Sequence, residues 1–155
     1  MKYVPSLLSL PGFYMTYKDF NIKPIPGSQT WPMRHRVMYP EMSPESVILD
    51  EDTQGIHFGL FSPDGKLVSV ISLFERENGH YQFRKFATDT SEQGKGYGSA
   101  LLSYIIDFCQ AKNARVLRCN ARTSASAFYK RYGFRETDIT YFKDGHDFVV
   151  MEREL

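Results

Sequence analysis

The chain has 155 residues, 42% of them hydrophobic, with a formal net charge of +1 and two cysteines. That length suits one domain with an ordinary buried core, and near-neutrality excludes a general electrostatic drive toward nucleic acid or an anionic membrane. There is no apolar run of about 18 residues to span a bilayer and no signal-peptide succession at the N-terminus, so a cytoplasmic protein is expected.

In chain order, residues 1–20 form a mixed apolar and aromatic arm broken by Pro5, Pro11 and Gly12. It could pack on the body or on a second subunit, which leaves a homodimer open. Residues 20–25 read as a first strand, and Pro24 places it at a sheet edge. Ser28 reads as the N-cap of a helix reaching Met38. Residues 40–55 are acidic and loop-like, with a helical turn after Pro44. Strands follow at 57–62, 67–76 and 80–88, separated by the turns Pro63-Asp64-Gly65-Lys66 and Asn78-Gly79. A helix is expected over 99–112, a strand over 116–120, a short helix ending near Phe134, and a terminal hairpin of 139–142 and 148–154 around Gly145. The two cysteines, Cys109 and Cys119, sit in apolar surroundings without metal-ligand spacing and read as buried thiols. The order implies an α+β fold on a mostly antiparallel sheet.

The densest signal is Gln93-Gly94-Lys95-Gly96-Tyr97-Gly98, between a strand and a helix. Alternate glycines let backbone N–H groups approach a ligand, and the first turn of the following helix adds unpaired N–H groups and the positive end of its dipole. This is an anion site suited to phosphate or pyrophosphate. A P-loop is excluded, because Asp89 stands where its first glycine belongs and Gly96 follows Lys95. The dinucleotide fingerprint fails too, with Ser99 or Leu101 at the third glycine position.

The remaining Gln-x-x-Gly-x-Gly pattern resembles the acyl-CoA loop of the GNAT superfamily of N-acetyltransferases. A second block, Asn120, Ala127, Tyr129, Gly133 and Phe134, is similar to that family's Asn…Ala…Phe-Tyr-x-x-x-Gly-Phe signature in order and spacing. The resemblance covers roughly residues 22–155 and leaves the N-terminal arm outside, within a single N-acetyltransferase domain over 1–155. It implies a GNAT-like mixed, mostly antiparallel central sheet with flanking helices. Its fourth and fifth strands, here 81–88 and 116–120, would splay apart to admit acyl-CoA.

Carried onto this sequence, the resemblance implies acetyl-CoA as cosubstrate, no metal, and a small-molecule amine as acceptor. Gln93, Gly94, Lys95, Gly96, Tyr97, Gly98 and Ser99 would hold the pyrophosphate, with Lys95 as a supporting cation. Phe86, Ala87 and Thr88 would offer unpaired strand N–H groups to pantetheine and to the thioester carbonyl. Asn120 would meet a pantetheine amide or a water, or else cap the next helix. Tyr129 would protonate the leaving thiolate, while Tyr132 belongs to the core. An alkylamine with pKa near 10.4 is only about one part in two thousand neutral at pH 7, so a base is wanted. The position where many relatives carry a carboxylate is Gln82. Glu75, Glu77 and His80 flank the hairpin and could act through water.

Strict alternation puts Gln82, Arg84, Phe86 and Thr88 on one strand face. Arg84 and Arg34, with His35 and Arg36, could then bind an acidic acceptor, or they could pair internally with Glu41, Glu45, Asp50 or Glu51 of the acidic loop. Two other functions stay open: an acetyltransferase acting on a protein terminus or lysine, and a non-catalytic acyl-CoA sensor.

Overall fold

The computed structural model describes residues 16–155 together with the backbone of two short paired strands, β1 (Ser9–Leu10) and β2 (Phe13–Tyr14). Where the rest of residues 1–15 packs lies outside the described residues. The body begins with β3 (Asn21–Ile25), followed by a 3-10 turn and α1 (Trp31–Met38). Two further 3-10 turns, Pro44–Val47 and Asp50–Gln54, lead to β4 (Ile56–Phe61), β5 (Leu67–Glu75) and β6 (His80–Thr88). Then come α2 (Tyr97–Ala111), β7 (Val116–Arg122), α3 (Ser126–Lys130), β8 (Arg135–Lys143) and β9 (His146–Glu154).

β3 to β9 form one sheet in the order β3-β4-β5-β6-β7-β9-β8. β3 is at the edge, where Pro24 withdraws no needed donor. Every neighbouring pair is antiparallel except β6 with β7. α2 carries an apolar stripe of Leu101, Leu102, Ile105, Ile106 and Cys109 at helical spacing. It clusters with Phe58, Leu60, Ile71, Leu73, Phe83 and Met151 of the sheet. α2 ends in a Schellman arrangement, with Asn113 at φ 59° and the Ala114 N–H donating to the Cys109 carbonyl at 3.0 Å. A smaller cluster joins Met33 of α1 to Ile25, Val70 and Ala87. No helix among the described residues is long and apolar enough to cross a membrane.

Three expectations change. The first helix begins at Trp31 rather than beyond Ser28, because Pro32 lacks an N–H and fits only the opening turn of a helix. α2 starts two residues early, at Tyr97, since Gly96 takes the left-handed conformation (φ 85°) at its N-cap. Most consequential is a β-bulge in β6. Ser72 pairs with Arg84 and Val70 with Ala87, so Lys85 and Phe86 together oppose Ile71. Lys85 absorbs the extra residue at φ 54°. Alternation therefore breaks at this point: Gln82, Arg84 and Ala87 share one face, and Phe86 and Thr88 do not join them.

Candidate active site

β6 and β7 pair only through His80–Val116, Tyr81–Leu117 and Gln82–Arg118. Beyond that rung they diverge, and a cavity of about 700 Å³ opens between them. It runs from the glycine turn past Phe86, Ala87, Thr88, Asn120 and Tyr129 to Lys85 and Arg122. The expected splay of these two strands is thus present.

At the glycine end, Asp89 caps a 3-10 turn by accepting from the Ser91 N–H at 3.2 Å, and Arg36 pairs with its other oxygen at 3.0 Å. Gln93 turns its amide back to donate to the Thr88 carbonyl at 3.1 Å, tying the loop to the end of β6. Gly94 and Gly96 lie at φ 81° and 85°, where a side chain would be strained. Gly98 is needed for another reason: a Cβ there would stand 3.1 Å from Thr88 Oγ1 and 3.4 Å from the Phe86 ring. The first-turn N–H groups of Tyr97, Gly98 and Ser99 have no preceding helical carbonyl to bond. Lys95 is exposed and paired with Glu92 at 2.8 Å, which holds its ammonium above the usual lysine range. Its charge is already met by Glu92, which leaves the first-turn backbone N–H groups as the donors facing the cavity.

Midway along the cavity Tyr129 lies in an aromatic cluster, its ring centroid 5.9 Å from Phe83, 5.2 Å from Phe128 and 5.8 Å from Phe134. Phe86 joins through Phe83 at 6.0 Å, on the face opposite Gln82 and Arg84. Burial raises the Tyr129 phenol far above its ordinary value, and Cys119 adds to the shift. The hydroxyl is therefore a donor at neutral pH. Tyr132 is 2% exposed, a core residue as expected. Both cysteines are buried, free thiols.

The polar face departs furthest from expectation. Arg34 is fully buried and donates to Asp52 from both terminal nitrogens (2.8 and 2.9 Å), to the Val47 carbonyl at 2.9 Å and to Ser72 Oγ at 2.7 Å. It is a structural cation and not an acceptor-binding one. His35 and Arg36 turn to the Met42 carbonyl and to Asp89, so the basic patch expected on the first helix does not form. Arg84 pairs with Glu51 at 3.3 Å, and Arg76 with the same carboxylate at 2.7 Å. Arg76 also donates to Gln82 Oε1, and Gln82 Nε2 donates to Asn120 Oδ1 at 3.3 Å. Gln82, 7% exposed, is thereby held at the point of divergence. Asn120 does not cap the next helix, because β7 runs on to Arg122.

Two cavity residues carried no sequence signal. Lys85 Nζ lies 4.9 Å from the centre of the Tyr39 ring, and the Arg122 guanidinium carbon 5.7 Å from the same centre. Arg122 also donates to the Met38 carbonyl at 3.2 Å. Burial, then the charges of Arg84, Arg34 and Lys143, pull the Lys85 ammonium down to about 8, against a smaller opposing effect of Asp144. Lys85 lies within the bulge of β6, where strict alternation does not fix its face.

Residues 27–155 match the family model described as acetyltransferase (GNAT) domain. The uncharacterised N-acetyltransferase YitI of Bacillus subtilis is 28% identical over 123 residues, covering 74% of this chain and 82% of that protein. Among solved structures, one from Lactobacillus plantarum assigned as an N-acetyltransferase superposes with a TM-score of 0.79 at 21% identity, over 88% of this chain and 98% of its own. A GNAT acetyltransferase from Elizabethkingia anophelis with acetyl-CoA bound gives 0.69 at 19% identity, over 88% and 98%. The ribosomal-protein-S18-alanine N-acetyltransferase of Escherichia coli also gives 0.69 at 19% identity, over 87% and 93%. These structures share the fold.

Proposed function

The chain belongs to the GNAT acetyltransferases, acyl-CoA-dependent N-acyltransferases, and from that membership we propose that it moves an acetyl group from acetyl-CoA to the primary amine of a small acceptor by direct attack. The observation that carries this reading is the continuous cavity from the glycine turn to Tyr129, opened where β6 and β7 part beyond Gln82. The residues along it fit the cosubstrate. Unpaired N–H groups at the start of α2 suit a pyrophosphate, and the far wall is apolar and aromatic.

When bound, acetyl-CoA supplies the thioester whose carbonyl carbon the amine nitrogen attacks. The backbone of the bulged segment, Lys85 to Ala87, borders the cavity and is the chain's source of donors for the developing oxyanion. Tyr129 passes its proton to the departing sulfur as the C–S bond breaks and regains one from the water that takes up the amine's proton. The surplus proton on the amine leaves to water, which Gln82 and Asn120 are placed to orient.

The test is calorimetric titration with acetyl-CoA, with 3′-dephospho-CoA and pantetheine as controls, followed by thiol release over a panel of amines. Tight binding that collapses without the pyrophosphate, together with amine-dependent thiol release, is the expected result. No binding at millimolar acetyl-CoA would sink the reading. Binding without thiol release would leave an acyl-CoA-binding module, and release only with a peptide amine would shift the acceptor to protein.

A further inference from the structure

The acceptor side of the cavity has an unused pair of cations. Lys85 and Arg122 reach one tyrosine ring, Tyr39, at the C-terminal end of α1. Among the described residues neither forms an ion pair, in contrast to Arg34, Arg36, Arg76 and Arg84, each of which has a carboxylate partner. Both line the cavity, together with the apolar Val37, Met38 and Phe148. Lys85 precedes Thr88 by three residues, placing it roughly 10 Å along β6 from the strand end that meets the glycine turn. That separates the pair from the pyrophosphate donors.

We propose that Lys85 and Arg122, over the ring of Tyr39, form the binding site for a carboxylate on the acceptor amine. The chemistry is that of a half-buried anion site. The fork of Arg122, anchored on one side by the Met38 carbonyl, and the point charge of Lys85 both approach the Tyr39 ring and line one cavity, bordered by the apolar Val37, Met38 and Phe148. The planar Arg122 fork matches the two oxygens of a carboxylate, and the apolar Val37, Met38 and Phe148 beside it suit one negative charge better than the two of a phosphate. The inference rests on the acetyl-transfer reading for the amine, though not for the anion.

The experiment is calorimetric titration of the CoA-loaded protein with short α- and ω-amino acids, with their primary amides, and with O-phosphoethanolamine. At least one acid should bind about tenfold or more tightly than its own amide. That ratio should collapse toward one in K85Q and in R122Q, and return in K85R. In the wild type it should also fall between pH 7 and 9.5 as Lys85 loses its proton, a drift K85R should lack. The charged groups acting on Lys85 are Arg84, Arg34, Lys143 and Asp144, and it shares the Tyr39 ring with Arg122. A preference surviving K85Q, no acid exceeding its amide, or tighter phosphoethanolamine than any acid would overturn the assignment. Thiol release from acetyl-CoA, measured in parallel with the same proteins and amines, keeps the two proposals apart. Acid preference without release sinks acetyl transfer and leaves the anion site, whereas release without acid preference does the reverse.

Discussion

Burial raises the Tyr129 phenol well beyond the ordinary range, with Cys119 adding to it, so the side chain keeps its proton through any working pH. Its ring is held by Phe83, Phe128 and Phe134, and no hydrogen bond to another described residue fixes its hydroxyl. Tyr129→Phe therefore removes a donor and little packing. We expect kcat to fall about a hundredfold or more, with the acetyl-CoA Kd within about threefold and the melting temperature nearly unchanged. Thiol-release kinetics beside calorimetry would check this; an unchanged kcat would remove the proton-donor role. The sequence marked Tyr129 by its spacing to Gly133 and Phe134, whereas Lys85 and Arg122 stood among unremarkable neighbours. What singles those two out is a shared tyrosine ring, Tyr39, far from both along the chain.

At the scale of elements, the glycine turn and the bulge decide the geometry. Gly94 and Gly98 are each required within one loop for a different physical reason. A Cβ on Gly94 meets open space and suffers only from its positive φ. A Cβ on Gly98 presses on Thr88 and Phe86, which lie under the start of α2. Gly94→Ala should cost about 1–2 kcal/mol of loop strain, read as weaker acetyl-CoA binding with little change in melting temperature. Gly98→Ala should both lower the melting temperature and weaken binding about tenfold or more, because it moves the helix start against β6. Equal behaviour of the two variants would contradict this account. The turn was legible in sequence because three glycines at alternate positions have few other uses. The bulge was not: nothing in Arg84-Lys85-Phe86 differs from an ordinary strand, and the missing rung exists only relative to Ile71 on β5.

For the whole molecule, two buried charges shape stability against pH. Burial, the largest single influence, pushes the Asp52 carboxyl up, but hydrogen bonds from Arg34, the Leu49 amide and Trp31 outweigh it and leave the group below its usual range. A depressed folded value means its contribution is complete above the unfolded value of about 3.9 and lost as pH falls through the folded one. Asp52→Asn should flatten that acid limb and, by stranding Arg34, cost about 3–5 kcal/mol at neutral pH in urea unfolding. Lys85 has the opposite sign. Its folded value of about 8 lies below the unfolded 10.4 or so, so the penalty of burying its charge is complete below pH 8 and relieved as pH rises through that window. Wild-type stability should therefore rise relative to K85Q between about pH 8 and 10.4. Parallel curves would refute it.

The sequence by itself determined the order of strands and helices, the glycine turn, the tyrosine at the cavity and the family, because each rests on spacing within a few residues. Local periodicity and glycine placement are set by backbone sterics, which act at short range. The tertiary structure alone decided which arginines are occupied. Arg34 is joined to Asp52 across 18 residues and to Ser72 across 38, and Arg84 to Glu51 across 33. It also decided the face of Lys85, since a single inserted residue reverses every later side chain on a strand and is defined only by the neighbour it fails to match. Partners across a sheet are fixed by pairing, and pairing depends on the whole chain.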